Sequence, residues 1–430
     1  MSLGLRHFEE QWEALQALPG TAVRASAYAR FQQLGLPTPR HEEWRYTNLA
    51  SLTQMAFSGA GQGPLPTPEA LEARLGPAFG HRMVFLNGRY EASLSTVGKL
   101  PSGVKVLSLW AAREQKLEGA LGLPSDDGRA LTALNSALGV DGAYLFLPRG
   151  TVVPEPIEWV FVSSADVPFS THPRNVVLAS EKSEATILES FVSLGGPAYF
   201  TNALTWLQLA QGAHVRHYRL QSEGAEALHL GLLQASLEKD SHLLSHAVQV
   251  GGKLARHEVR VTLAAEGALT TLQGLYLGKG KQLLDNHTVV EHARPRGVSQ
   301  ELFKGILDND SRGVFNGKVI VRENAVQTDS SQVNQNLLLS EGAQADTRPQ
   351  LEIFADDVKC KHGATVGRID DKALFYLRSR GIPRAMAQGI LTYAFASEMV
   401  GLIGVEAHRQ QVQALVKARL DEGHTLGALS

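Results

Sequence analysis

Residues 212–278 read GAHVRHYRLQSEGAEALHLGLLQASLEKDSHLLSHAVQVGGKLARHEVRVTLAAEGALTTLQGLYLG. Turn residues recur through this stretch with gaps of about 12, 16, 11, 16 and 11 residues, at Gly212, Gly224, Asp240, Gly251, Gly267 and Gly278. Neighbouring gaps add to a repeat of roughly 27 residues, a length typical of stacked-repeat folds. Between turns, residues 257–263 alternate apolar Val259, Val261 and Leu263 with polar neighbours, which indicates a half-buried strand. The stretch therefore predicts a mainly β protein, a parallel β-helix.

Helical patterns lie on both sides of this β-rich core. Phe8, Trp12 and Leu15 recur at spacings of four and three, which indicates one stripe of an N-terminal helix. Helix start signals appear near the C-terminus at Asp370 and Pro383. We predict four regions: an N-terminal helical region at 1–81, a mixed α/β lead-in at 82–141, the parallel β-helix core at 142–367 and a C-terminal helical domain at 368–430.

Composition excludes several classes of partner and location. The formal net charge of -2 gives no electrostatic reason to bind nucleic acid or an anionic membrane, so we expect neither as a partner. A single cysteine excludes an intrachain disulfide and fits a reducing compartment. Residues 1–20 carry charges throughout, which argues against a signal peptide or anchor. We expect a cytoplasmic protein.

The only cysteine, Cys360, lies two residues before His362 in the sequence KCKHGATVG at residues 359–367. On an extended backbone, residues i and i+2 share a face, so this pair can offer sulfur and nitrogen to one soft metal or cluster. Iron–sulfur clusters are commonly held by four ligands, so a second subunit would have to supply the rest. The alternative is that Cys360 is a small buried hydrophobe and His362 a packing group.

Carboxylates and histidines provide further candidate sites. Acidic pairs occur at Asp356 with Asp357, Asp308 with Asp310, and Asp370 with Asp371. Paired acids in a β-helix are typical of carbohydrate-active enzymes, but adjacent acids on a strand point to opposite faces, which favours turn and capping roles. The β-rich region also holds His214, His217, His229, His242, His246, His257, His287 and His292. None of these has a familiar metalloprotease spacing, so structural or exposed positions are favoured.

Phosphate-binding and nucleophile motifs do not occur in the sequence. It contains no G-x-x-x-x-G-K-[ST] loop, no G-x-G-x-x-G and no G-x-S-x-G elbow. The chain therefore has no recognisable route to ATP hydrolysis or serine-hydrolase chemistry.

Several long blocks resemble the SufB/SufD family of the SUF iron–sulfur cluster assembly system. They are PTPRHEEWRYTNL at 37–49, DNHTVVEHARPRGVSQELFKGIL at 285–307, GVFNGKVIV at 313–321, NQNLLLSEGAQADTRPQLEIFADDVKCKHGATVG at 334–367 and FYLRSRGI at 375–382. Val333 and Asn334 lie near the place of a SufB-like cysteine, and Gly363 replaces a SufB-like acid. These departures favour the SufD branch, a largely non-catalytic partner of the SufB scaffold.

The resemblance implies a right-handed parallel β-helix between helical ends. It implies a non-enzymatic scaffold subunit that pairs edge to edge with SufB and docks the ATPase SufC through its C-terminal helices. By match to CKHGAT, His362 is the residue expected at a shared cluster-assembly or iron-entry site, with Cys360 second. Any iron or iron–sulfur cluster would be transient and shared with SufB, with no cofactor held tightly by this chain alone, and the complex could use reduced flavin.

Two other functions remain open from the sequence. A homodimer could bring two copies of Cys360 and His362 together as a metal or cluster-binding protein without SufB. A β-helical carbohydrate-active enzyme would require facing carboxylates in a groove.

Overall fold

The computed structural model describes residues 5–421 except 19, 60, 62, 79, 118 and 120–127. The N-terminal part is helical, as the stripe of apolar residues predicts. Its helices are α1 (Arg6–Leu15), α2 (Thr21–Leu34), α3 (Ala50–Gln54) and α4 (Pro68–Leu75), with a 3₁₀ turn at Glu42–Trp44. Two more helices follow, α5 (Leu109–Glu114) and α6 (Ala130–Leu138).

Strands account for most of the middle of the chain. They are β1 (His81–Leu86), β2 (Arg89–Tyr90), β3 (Thr96–Val97), β4 (Lys105–Ser108), β5 (Ala143–Leu147), β6 (Ile157–Ser163), β7 (Phe169–Thr171), β8 (Arg174–Ala179), β9 (Glu184–Ser193), β10 (Tyr199–Leu209), β11 (His214–Ser222), β12 (Leu228–Leu237), β13 (His242–Gln249), β14 (Leu254–Leu263), β15 (Leu269–Gly278), β16 (Leu283–His292), β17 (Val298–Leu307), β18 (Arg312–Val321), β19 (Asp329–Leu338), β20 (Gln344–Ile353) and β21 (Lys359–Gly367). The C-terminal helices are α7 (Asp371–Ser379), α8 (Arg384–Gly401) and α9 (Glu406–Asp421).

The strands alternate between two long sheets. Sheet 1 has the order β2-β1-β6-β9-β11-β13-β15-β17-β19-β21, and sheet 2 has the order β20-β18-β16-β14-β12-β10-β8-β5-β4. From β6 onward the neighbours in sheet 1 pair in parallel. The chain thus winds into a parallel β-solenoid of about eight turns with helices at both ends, which confirms the predicted fold class. The four predicted region boundaries stay predictions, and residues 422–430 lie outside the described part.

Along sheet 1 the repeat from β11 to β21 is 27 to 31 residues, close to the predicted spacing. Register partners on successive turns of sheet 1 are His214, His242, Leu269, Val298, Asp329 and Lys359. The turn signal in the sequence blurs across residues 281–310, yet β16 and β17 are complete strands. Arg296, Asn309 and Gln327 make nearby turns with φ of 57°, 55° and 59°. Because these turns have residues other than glycine in the left-handed region, the spacing of glycines in the sequence does not reveal them.

The space between the two sheets is filled by the inward-facing side chains of their strands. Phe85, Phe161 and Phe191 stack in one column, with ring centroids 4.9 and 4.8 Å apart. Trp159 is fully buried beside them. Fully burying a large apolar side chain contributes roughly 1.5–3 kcal/mol, so repetition of such columns stabilises the stack.

The C-terminal helices lie against the outer face of sheet 1. Lys304 Nζ lies 2.5 Å from Glu398 Oε2, which joins β17 to α8. His246 Nε2 donates to the carbonyl oxygen of Met399 at 2.9 Å, and burial lowers the pKa of this imidazole to about 4. The helices that follow β21 are therefore fixed to the outer wall of sheet 1 and extend back over its middle strands.

A buried ion network fixes the N-terminal segment to the outer face of sheet 2. Arg256 Nη1 donates to Asp285 Oδ2 at 2.7 Å, and its guanidinium lies 4.0 Å from the Trp44 ring centroid. The Thr47 hydroxyl donates to the same carboxylate, and His287 Nε2 lies 2.9 Å from Asp285 Oδ1. Burial by itself would raise the pKa of the Asp285 carboxyl group. His287 and Arg256 outweigh burial and hold this pKa well below its usual range. Trp44 thus packs against the sheet.

Asp285→Asn is expected to lower the free energy of unfolding by about 3 kcal/mol at pH 7, because buried Arg256 would keep only its longer contact with Glu258, 3.5 Å from Nη2, as a counter-charge. Since the depressed pKa of Asp285 contributes stability only above the pKa of the unfolded chain, the difference from wild type should shrink below about pH 4. Denaturant unfolding followed across pH measures both effects.

The matched control is Asp240→Asn, at an exposed turn with φ of 54°, a conformation that asparagine tolerates. Equal stability of the two variants at pH 7 would contradict this account of the network.

Candidate functional site

Strand β21, which carries both Cys360 and His362, is the last strand of sheet 1. Its inner edge pairs with β19, where the Lys359 amide donates to the Thr328 carbonyl at 2.8 Å. Hydrogen bonds of parallel strands alternate in direction, so the amides of residues 360, 362, 364 and 366 point away from β19. Every residue of the strand except half-buried Cys360 is exposed. The strand presents an open row of backbone donors and acceptors, which is a template for another strand.

Strand β20 forms the matching end of sheet 2, but its edge is interrupted. The Gln344 amide donates inward to the Ser311 carbonyl at 3.0 Å, so alternate residues from 345 onward face outward. Pro349 falls on an outward position and has no amide hydrogen. Proline is tolerated in sheets mainly at such edges. Of the two terminal strands, β21 therefore has the uninterrupted set of donors.

Cys360 and His362 lie on one side of β21, as the spacing of two predicts. They are in register with Ser330 and Gln332 of β19, both fully buried residues of the solenoid interior. The pair therefore continues the inner lining of the solenoid to its rim.

The Cys360 thiol is partly covered by apolar side chains. It packs beside a cluster formed by Val319, Val321 and Ala325. Burial and the nearby Asp329 raise the pKa of the thiol. Such a group is protonated at neutral pH, and a metal or a cationic partner is needed to favour the thiolate that binds iron.

Two hydrogen-bonded columns lead from the interior to these residues. In one, His292 Nε2 lies 2.8 Å from Ser299 Oγ, and Ser299 donates to Ser330 Oγ at 2.8 Å, directly beneath Cys360.

In the other column, Gln332 Nε2 donates to Glu301 Oε1 at 3.0 Å, directly beneath His362. The sequence analysis missed Glu301 and Gln332. The repeat length could have revealed them, because Glu301 lies about one turn before Gln332, and Gln332 about one turn before His362, on the same inward face.

The pair does not by itself complete a metal site. Across the described residues, no three or more His, Cys, Asp and Glu side chains are grouped as a metal site requires. Cys360 and His362 can supply one sulfur and one nitrogen, while common iron–sulfur sites use four ligands. An iron ion or cluster bound here as cargo would need further atoms from another chain. The roles predicted for His362 and Cys360 thus depend on a partner.

The other histidines of the β-rich region are mainly buried, and two of them contact buried carboxylates. His217 Nε2 lies 3.2 Å from Glu189 Oε2, and His229 Nδ1 lies 2.6 Å from Glu223 Oε2. His217, His229, His257 and His292 lie inside the solenoid, and burial lowers the pKa of His292 to about 4. His246 lies under α8 and His287 in the Asp285 network.

The acidic pairs do not face each other across a groove. Asp308 and Asp310 lie in the turn from sheet 1 to sheet 2, whereas Asp356 lies in a turn from sheet 2 back to sheet 1, on the opposite side of the solenoid. Asp370 caps α7 by accepting from the Lys372 amide at 3.0 Å. The geometry needed for glycoside cleavage is not formed by these residues.

A second exposed surface follows directly after β21. On α7, Phe375 is 73% exposed and Tyr376 59% exposed, although large aromatic side chains are usually buried. Three residues, 368–370, separate β21 from α7. An apolar surface of this kind is typical of a protein contact.

Among the described residues, no helix is both long enough and apolar enough to span a membrane.

Comparison with known proteins identifies the family. Residues 161–395 match the SUF system FeS cluster assembly SufBD core domain, and residues 7–159 match the SufBD protein N-terminal region. The chain is 35% identical over 422 residues to the iron-sulfur cluster assembly protein SufD of Escherichia coli, covering 96% of this chain and 97% of that protein.

Two further relatives extend this similarity. A SufBD family protein of Synechocystis is 32% identical over 398 residues, covering 90% of this chain and 88% of the relative. SufD of Bacillus subtilis is 26% identical over 298 residues, covering 68% of each chain. With both family regions matched along a solenoid that has helices at its two ends, the chain belongs to the SufBD family of the SUF iron–sulfur cluster assembly system.

Proposed function

We propose that this chain is a non-catalytic scaffold subunit in the cytoplasm whose open solenoid end is completed by SufB. The observation that carries the proposal is the position of β21, an exposed terminal strand with Cys360 and His362 at the rim of the interior. A partner strand added along this edge would bond to the outward amides and carbonyls. It would also bring its own side chains beside those two residues.

In this proposal, the cluster-assembly or iron-entry site forms only at the contact. His362 supplies an imidazole nitrogen and Cys360 a second ligand or a packing surface, while SufB supplies the remaining atoms. Histidine is an established substitute for cysteine at iron–sulfur clusters. Any iron or cluster is then transient cargo of the complex, and no residue of this chain is assigned to reduced flavin.

The C-terminal helices are proposed as the docking surface for the SufC ATPase. The exposed aromatic residues Phe375 and Tyr376 support this role, and the sequence has no phosphate-binding loop of its own. Since α7 begins four residues after β21 ends, a force applied to α7 would act on the strand that carries His362.

A homodimer is the second candidate, favoured by the same open edge. Two copies paired along β21 about a two-fold axis would place two Cys360 and two His362 residues at one contact. Anaerobic reconstitution of the purified chain with iron and sulfide tests this candidate. An absorption spectrum without cluster bands would count against it.

His362→Ala is expected to reduce the cluster yield of the co-expressed complex at least tenfold, because one ligand of the shared site is lost. Folding and complex formation should be unchanged, since the side chain is exposed on the last strand. Iron and sulfide analysis of the purified complex measures the yield. The control is His214→Ala, which removes a half-buried imidazole on β11 at the outer face of the same sheet. Normal yield from the His362 variant would overturn the role.

Phe375→Ser is expected to weaken co-purification of SufC at least tenfold, because truncating a central aromatic contact costs about 2 kcal/mol or more. The matched control is Val23→Ser on α2, where an apolar residue is 57% exposed far from the C-terminal helices. Equal SufC retention by both variants would argue against docking through α7.

A further inference from the structure

Glu301 is a buried carboxyl group beneath the proposed site. It faces inward on β17, in register with Leu272 on one side and with Gln332 on the other, and it is 3% exposed. Burial raises the pKa of Glu301 to about 7, against smaller opposing effects of Thr288 and Gln332. His362 lies two strands away in the same column, about 10 Å at the usual strand spacing.

No charged side chain compensates Glu301 inside the solenoid. Besides Glu301, the side chains that titrate on the inner faces of β14 to β21 are His257, Tyr276, His292, Cys360 and His362. Burial lowers the pKa of His292 to about 4, lowers that of His257 well below its usual range, and raises that of Tyr276. These three groups are therefore neutral near pH 7. Among these inward-facing groups below the rim, Glu301 is the one whose charge can change near pH 7.

Gln332 connects this carboxyl group to the rim. Its amide nitrogen donates to Glu301, and its oxygen Oε1, although buried, has no hydrogen-bond partner among the described residues. A histidine that binds a metal through one ring nitrogen usually donates its other N–H to an oxygen acceptor. Gln332 Oε1, directly beneath His362, is placed to be that acceptor.

We propose that Glu301 is a positioning residue that acts through Gln332 and balances the positive charge of a divalent cation bound at His362. The inference rests on the proposed function of His362. When the rim is empty, Glu301 keeps its proton at a pH below about 7. When Fe²⁺ binds, the carboxyl group releases one proton to solvent, and the carboxylate stabilises the cation across the low-dielectric interior. The amide of Gln332, held by the carboxylate, orients the imidazole.

The size of the effect follows from the separation. Two positive charges and one negative charge about 10 Å apart in a partly solvated interior interact strongly enough to change cation affinity about tenfold. The Fe²⁺ affinity of wild type should therefore rise with pH more steeply than that of a variant in which residue 301 cannot ionise. Glu301→Gln preserves the shape of the protonated group but cannot ionise, so it isolates this contribution.

The test is anaerobic Fe²⁺ titration of the purified complex with SufB and SufC, between pH 6 and pH 8.5, with proton release followed by an indicator. We expect Glu301→Gln to bind Fe²⁺ like wild type at pH 6 and about tenfold more weakly at pH 8. Near pH 6.5, wild type should release more protons per bound Fe²⁺ than the variant. Glu238→Gln, at an exposed turn, should match wild type throughout.

The outcomes separate this inference from the function on which it rests. If Glu301→Gln has the pH profile and proton release of wild type while His362→Ala loses Fe²⁺ binding, the role of Glu301 is overturned and the shared site stands. If His362→Ala binds normally, the proposed site fails as well. Gln332→Met, similar in size but without an amide, is a second variant. It should weaken Fe²⁺ binding at pH 8 and retain proton release, and unchanged binding would also contradict the inference.

Discussion

The parallel hydrogen-bond ladder is the constraint on which the rest of this structure depends. Each strand of the solenoid satisfies half of its backbone groups with the turn before it and half with the turn after it. This arrangement has no natural end, so the last strand must leave a row of groups unpaired. At the start of the chain, β2 and β3 pair antiparallel with the edge of β1 that faces away from β6. At the other end, no strand of the described residues pairs with the outer edge of β21, and the C-terminal helices pack against the wall of sheet 1.

The same ladder determines which side chains meet at the rim. Residues in register on successive turns form columns, so the composition of the last inner positions depends on the turns beneath them. The inner positions of β19 are Ser330, Gln332, Asn334 and Asn336, and polar residues such as Glu189, His217 and Arg219 also line an earlier turn. A stack that only needed stability would favour apolar columns to its end, because buried polar groups stabilise little. Below Cys360 and His362 the column of Ser330, Gln332 and Glu301 places hydrogen-bonding groups directly under the proposed site.

The sequence predicted the fold because strand alternation and turn spacing are local signals. It placed Cys360 and His362 on one face for the same reason, since a spacing of two is enough on a strand. Glu301 and Gln332 could not be assigned to the site in this way, because their relation to His362 requires the register between turns of 27 to 31 residues. Turns made by Arg296 and Asn309 in the left-handed region blur that register in the sequence. The contact of Thr47 with Asp285 spans 238 positions and has no local signal.

The central claim is that the open edge of β21 is completed by a second chain. Hydrogen exchange at the amides of Cys360, His362, Ala364 and Val366 tests it most directly, because these amides point away from β19. The account predicts fast exchange in the isolated chain and strong protection when SufB is added, while the inward amides of Lys361 and Gly363 change little. Unchanged fast exchange at those four amides in a complex that has formed would contradict it.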